Sequence, residues 1–150
     1  METLKIKKLD ESAVLPIRAT PGSAGVDLSA LLKVPLTINP GEIKLIPTGL
    51  AAEISPGFAG FIFGRSGLGV KHGIAPINAV GVIDSDYRGQ IGVGLVNHSD
   101  EAYTIQPGER IAQMIILPVC TARIVEVGCL SDTDRGESGF GSTGKDGALV

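Results

Sequence analysis

The chain has 150 residues, of which 43% are hydrophobic and 19% charged. This composition predicts one globular domain that buries about two thirds of its unfolded surface, and it excludes a disordered chain. The net charge of −3 argues against direct DNA or RNA binding, which calls for a basic face, and the longest apolar run, Met114 to Leu117, falls far short of a membrane helix. Glycine (21) and proline (9) supply one residue in five, so many turns are expected.

From the N-terminus, Met1 to Lys5 is charged and alternating and lacks the apolar stretch of a secretory signal, which predicts an intracellular, cytoplasmic protein with no membrane association. Period-two alternation, the signature of half-buried strands, starts at Leu4 and Ile6. It returns at Ile43 and Leu45 around Lys44, and at Ile91, Val93 and Leu95 with Gly92 and Gly94 between them. Four Pro-Gly dipeptides (Pro21-Gly22, Pro40-Gly41, Pro56-Gly57 and Pro107-Gly108) preset tight turns, because proline fixes φ and glycine accepts φ > 0. Between them lie β-branched, apolar segments at 50–54, 58–63, 74–83, 111–119 and 124–127. The expected fold is all-β, a jelly-roll-like barrel or sandwich spanning residues 1–130. One short helix fits Ser66–His72, weakened by Gly67 and Gly69. Residues 131–150 carry five glycines and a single aromatic, Phe140, and are expected to form a flexible, glycine-rich C-terminal tail.

Cys120 and Cys129 match no zinc-ligand spacing and read as reduced structural thiols. His72 and His98 are paired neither with each other nor with a cysteine, which disfavours zinc and Ser-His-Asp hydrolases. Three segments carry chemistry. Gly64 to Gly69 puts Arg65, Ser66 and glycine amides at a helix start, a phosphate-binding arrangement, although a surface Gly-Arg-Ser-Gly turn fits the same residues. Asn78 to Gln90 reads as a hairpin, with Val80, Val82 and Asp84 on one face and Asp86 to Gly89 as turn and return. Asp84, at the inner end of that apolar strand, is either held structurally or functional, Asp86 fits a turn cap, and Tyr87 fits either a core position or a loop role. In the tail, Arg135, Phe140 and the run Gly141-Ser142-Thr143-Gly144 suit phosphate and base contacts, or simply a solvated terminus.

Taken in order, these segments closely resemble the five motifs of the trimeric dUTPase family. Ala24-Gly25-Val26-Asp27-Leu28 is similar to the first, and Gly64 to Leu68 with Lys71 and Gly73 to the second. Gly81 to Asp84 through Gly89 is similar to the third, Gly108-Glu109-Arg110-Ile111-Ala112-Gln113 to the fourth, and Arg135 to Gly144 to the fifth. Gly64 departs from the proline found in many members. The resemblance implies a β-clip fold and hydrolysis of dUTP to dUMP and pyrophosphate, which limits uracil in DNA and supplies dUMP for thymidylate synthesis. It implies Asp84 as the base, and Arg65, Ser66, Gly67 and Gln113 on the α- and β-phosphates. Asp27 would hold Mg²⁺ through bound water. Asn78 and the strand amides of Gly81, Val82 and Ile83 would read uracil, and Tyr87 would exclude the ribose hydroxyl. Arg135, Phe140, Gly141, Ser142 and Thr143 would close as a lid, in a homotrimer with shared active sites. A dCTP deaminase shares the fold, but Gly94 stands where that enzyme carries its proton-moving glutamate. A non-catalytic β-module has no need of Asp84, Arg65, Gln113 and Phe140 together.

Overall fold

Three of the four Pro-Gly dipeptides make the same turn and set the strand lengths. In a computed structural model describing residues 3–137 and Gly139, Gly41, Gly57 and Gly108 have φ of 72°, 81° and 77°. Each turn is closed by an i+3 amide: Glu42 N to the Asn39 carbonyl (2.9 Å), Phe58 N to Ser55 (3.1 Å) and Glu109 N to Gln106 (3.0 Å). Proline at the second position and a left-handed glycine at the third are what a type II turn demands. In the two Pro-Gly-Glu turns the glutamate also accepts the first residue's amide, Asn39 N at 2.9 Å and Gln106 N at 2.8 Å. The Thr20–Ser23 turn closes similarly, but Gly22 there does not take positive φ.

The described residues form eleven strands and one helix. These are β1 (Lys5–Lys8), β2 (Val26–Ser29), β3 (Leu36–Ile38), β4 (Ile43–Pro47), β5 (Leu50–Glu53), β6 (Phe58–Phe63), α1 (Ser66–His72), β7 (Ile74–Pro76), β8 (Gly81–Ile83), β9 (Gly92–Asn97), β10 (Tyr103–Ile105) and β11 (Arg110–Pro118). All pairings are antiparallel, in the orders β1-β5, β3-β10, β2-β11-β6-β8 and β4-β9-β7. The sheets enclose one aliphatic core that includes Leu28, Ile38, Ile46, Leu50, Leu95 and Met114. The fold is all-β and jelly-roll-like, and the described strands close no barrel. Among the described residues no helix is long and apolar enough to cross a membrane.

Several expectations need correction. The 74–83 segment is not one strand. Ile74–Pro76 pairs with β9 and Gly81–Ile83 with β6, so the chain changes sheets at a turn through Ala79, whose φ is +59°. Gly81–Ile83 therefore has no return strand, and Asn78 to Gln90 is not a hairpin. Residues 124–127 form no strand, and β2, β3 and β10 lie where no strand was expected. Cys120 and Cys129 are free and exposed, so they do no structural packing. On β4, Ile46 faces the core, while Ile43 and Leu45 point outward with 54% and 73% exposure. Gly92 and Gly94 clear the surface on which Leu45 and Ile77 lie, since a β-carbon there would sit 3.0 Å and 3.1 Å from those side chains. The alternation is real: Ile91, Val93 and Leu95 face the core, whereas Ile43 and Leu45 face away from it.

Candidate active site

Strand register builds the first half of the site. Gln113 on β11 is the register partner of both Asp27 on β2 and Phe63 at the end of β6. The chain leaves β6 through Gly64 and Arg65 directly into α1, so the cation, the amide and the carboxylate converge. Gln113 Nε2 donates to the Gly64 carbonyl (3.0 Å), fixing its side chain beside the helix start. Gly25 gives that side chain room, since a β-carbon there would lie 3.1 Å from Gln113 Oε1. The resulting cleft of about 200 Å³ is lined by Ser23, Gly25, Asp27, Arg65, Ser66, Gly67 and Gln113, with Ala19 at its edge.

Asp27 is the electrostatic centre of the cleft. Its Oδ1 accepts from Arg65 Nε (3.2 Å) and its Oδ2 from Arg110 Nη1 (2.9 Å), with the carboxylate only 13% exposed. Arg65 Nη1 also donates to the Arg110 carbonyl (3.1 Å), so one carboxylate and one backbone oxygen set the guanidinium's plane. A register shift between Arg110 and Ala112 accompanies this arrangement on β11. Two charge-assisted bonds leave the carboxylate lone pairs for further donors, such as metal-bound water. Among the described residues no three His, Cys, Asp or Glu side chains group to cage a metal directly. A single carboxylate of this kind suits Mg²⁺, which keeps its waters and arrives on phosphates. Arg110 was assigned no role from sequence. Only the pairing of β2 with β11, which sequence does not reveal, brings it to Asp27.

A strut fixes the other end of α1. Tyr103 lies against His72, with ring centroids 4.7 Å apart, and its hydroxyl donates to Glu109 Oε1 at 2.5 Å. Burial first, and then the neighbouring carboxylate, push its phenol up to about 12, so it remains a donor at neutral pH. The helix that presents Arg65, Ser66 and Gly67 is thereby tied to the turn leading into Arg110.

The second half of the predicted site lies elsewhere on the chain. Because β8 runs against β6, Ile83 pairs with Gly60, and Asp84 continues away from Arg65. About six residues of extended chain separate the two, on the order of 20 Å. Asp84 is exposed, contrary to the expectation of a buried strand end. β8 is an edge strand, and among the described residues the face carrying Val82 (55% exposed) and Asp84 has no layer over it. Asn78 lies in the strained turn, where Val80 N reaches the Asn78 carbonyl at 2.6 Å, and its Nδ2 is 3.5 Å from a β-carbon placed on Gly81. Such strain at a loop that presents polar groups is characteristic of binding sites. Tyr87 is a loop residue and not a core one, its hydroxyl donating to the Gln90 carbonyl (2.9 Å). Arg135 sits in an exposed turn at 134–137, and Phe140, Gly141, Ser142 and Thr143 lie outside the described residues.

Comparison with known proteins bears on these two clusters. The dUTPase family model matches residues 11–144. The chain is 56% identical over 142 residues to the deoxyuridine 5'-triphosphate nucleotidohydrolase of Nautilia profundicola, covering 95% of this chain and 99% of that one. It is 51% identical over 150 residues to the enzyme of the same name from Idiomarina loihiensis, covering 97% and 99%. Its fold is similar to that of a Staphylococcus bacteriophage 80alpha dUTPase mutant with dUpNHpp, at TM-score 0.88 and 29% identity over 97% of this chain and all of that one. It is also similar to a mutant phage phi11 dUTPase described with a structural Mg(II) ion, at TM-score 0.76 and 25% identity over 85% and 97%. The matched span includes the arginine cleft, the β8 loop and residues beyond Arg135, and on the ground of that match the chain belongs to the dUTPase family.

Proposed function

We propose that this protein hydrolyses dUTP to dUMP and pyrophosphate by in-line attack of water at the α-phosphorus. The observation that carries the reading is the convergence of Arg65, the start of α1 and Gln113 on a cleft organised by one carboxylate, Asp27. Arg65, Ser66 and the Gly67 amide bind the α- and β-phosphates, and Gln113 adds a neutral donor, so that fixed dipoles meet the charge that builds up in the transition state. Asp27 would hold hydrated Mg²⁺ through bound water, and the ion would supply charge neutralisation at the phosphate oxygens. Asp84 accepts the proton of the attacking water. Asn78 and the backbone of Gly81, Val82 and Ile83 pair with the polar edge of uracil, where a mismatched base leaves polar groups unpaired. Tyr87 stands against the sugar where a 2′-hydroxyl would project.

The distance between Asp84 and Arg65 within one chain supports a site shared between copies. The outward apolar faces at Ile43, Leu45, Ile77 and Val82 support the association this needs, since exposed apolar surface of this kind marks an interface. We take the assembly to be a homotrimer, with residues 1–130 as the β-domain and the segment from Arg135 through Phe140, Gly141, Ser142 and Thr143, within the tail 131–150, as a lid over base and phosphates. A cytoplasmic enzyme acting on free nucleotide, without direct contact to DNA or RNA, fits the net charge of −3.

Product analysis tests the reading. Purified protein with Mg²⁺ should release pyrophosphate from dUTP far faster than from dCTP or UTP, and EDTA should suppress the release. Ammonia released from dCTP, or equal turnover of all three nucleotides, contradicts it.

A further inference from the structure

We infer that Gly89 is a specificity-determining residue, because its missing side chain is what allows the Tyr87 ring to lie back across its own loop. The inference rests on the reading that Tyr87 stands against the sugar. A β-carbon built on Gly89 would lie 2.4 Å from Tyr87 Oη, 2.6 Å from Cζ and 2.9 Å from Cε2. All three nearest atoms belong to the one ring, and none is backbone. Gly89 does not take positive φ, so alanine suits its backbone conformation. The collision therefore falls on the ring and not on the fold.

The rest of the loop is anchored without help from the ring. Tyr87 N donates to the Asp84 carbonyl (3.2 Å), and Arg88 Nη1 donates to the carbonyls of Ser85 (2.7 Å) and Tyr87 (2.9 Å). Gln90 Oε1 accepts the Gly49 amide (2.9 Å), which pins the far end of the loop to the turn between β4 and β5. Among the described residues, the ring is held by its hydroxyl on the Gln90 carbonyl, in the room that Gly89 leaves. A methyl group at position 89 displaces the ring and breaks that hydrogen bond while the loop backbone stays in place. A wall that has swung aside no longer excludes a 2′-hydroxyl.

The experiment compares kcat/KM for dUTP and UTP in the full-length protein and in Gly89→Ala, Tyr87→Ala and the double variant. Gly89→Ala should raise the UTP/dUTP ratio about tenfold or more, as loss of a steric check of this size implies. The double variant should equal Tyr87→Ala alone, because the added methyl then has no ring to strike. The chain has two tyrosines and no tryptophan, so in a Tyr103→Phe background Tyr87 is the sole emitter, and Gly89→Ala should raise its acrylamide quenching. An unchanged ratio in Gly89→Ala beside a shifted one in Tyr87→Ala overturns the inference and spares the reading of Tyr87. An unchanged ratio in Tyr87→Ala overturns both. If Gly89→Ala fails to fold, rescue of folding by Tyr87→Ala upholds the clash, and failure of both shows that the backbone itself requires glycine and overturns the proposal.

Discussion

Asp84→Asn should lower dUTP turnover roughly 10²–10⁴-fold, the range that removal of a general base costs, while leaving dUTP binding nearly unchanged. The amide keeps the shape and hydrogen-bonding size of the carboxylate but cannot take up the proton of water. Tyr87 N donates its hydrogen bond to the Asp84 backbone carbonyl and not to the side chain. Substituting the side chain leaves that bond and the exposed end of β8 intact. Steady-state kinetics with a parallel binding isotherm separates the two effects. Near-normal kcat in the variant removes Asp84 from the role of base.

Arg65→Ala should cost about 10²–10³-fold in kcat/KM, the scale of losing one fixed donor to transition-state charge. The loss has a second component particular to this site. Arg65 shares Asp27 with Arg110, so without it the carboxylate pairs with Arg110 alone and its Oδ1 is freed. Arg65→Lys should recover only part of the activity, because an ammonium cannot serve both Asp27 and the Arg110 carbonyl in the planar arrangement of a guanidinium. Full activity in the lysine variant reduces Arg65 to a point charge and contradicts the geometry described for the cleft.

The two halves of the site differed in how far sequence revealed them. Local signals were reliable where chemistry is local. Phe58–Phe63 and Ser66–His72 have the bounds their composition predicts, and the Pro-Gly-Glu turns at Pro40 and Pro107 share one hydrogen-bonding device. Alternation located β4 and β9, but it reports two faces and not which of them meets the core. Leu45 and Leu95 show the difference: both are apolar and both lie in alternating segments, yet Leu45 points out of the fold and Leu95 is fully buried. The short strands β3 and β10 were missed because three residues, paired mainly with each other, carry no period of their own. Arg110 was hidden for a different reason. Its role depends on the β2–β11 register, a long-range pairing between residues 83 positions apart. Gly89 read as an ordinary turn glycine, and its constraint became visible only once the Tyr87 ring had a position.

Those two inactive variants together supply the most direct test of the central claim, that Asp84 of one copy works with the Arg65 cleft of another. Asp84→Asn and Arg65→Ala chains are co-expressed with different tags, and the mixed assemblies are assayed for dUTP hydrolysis. In a trimer with sites shared between neighbouring subunits, each mixed trimer keeps one intact site of its three, or about a third of wild-type activity. Activity near that level, from two chains that are each almost inactive alone, is the predicted result. Mixed assemblies no more active than either parent contradict the account, because each site then draws Asp84 and Arg65 from the same chain.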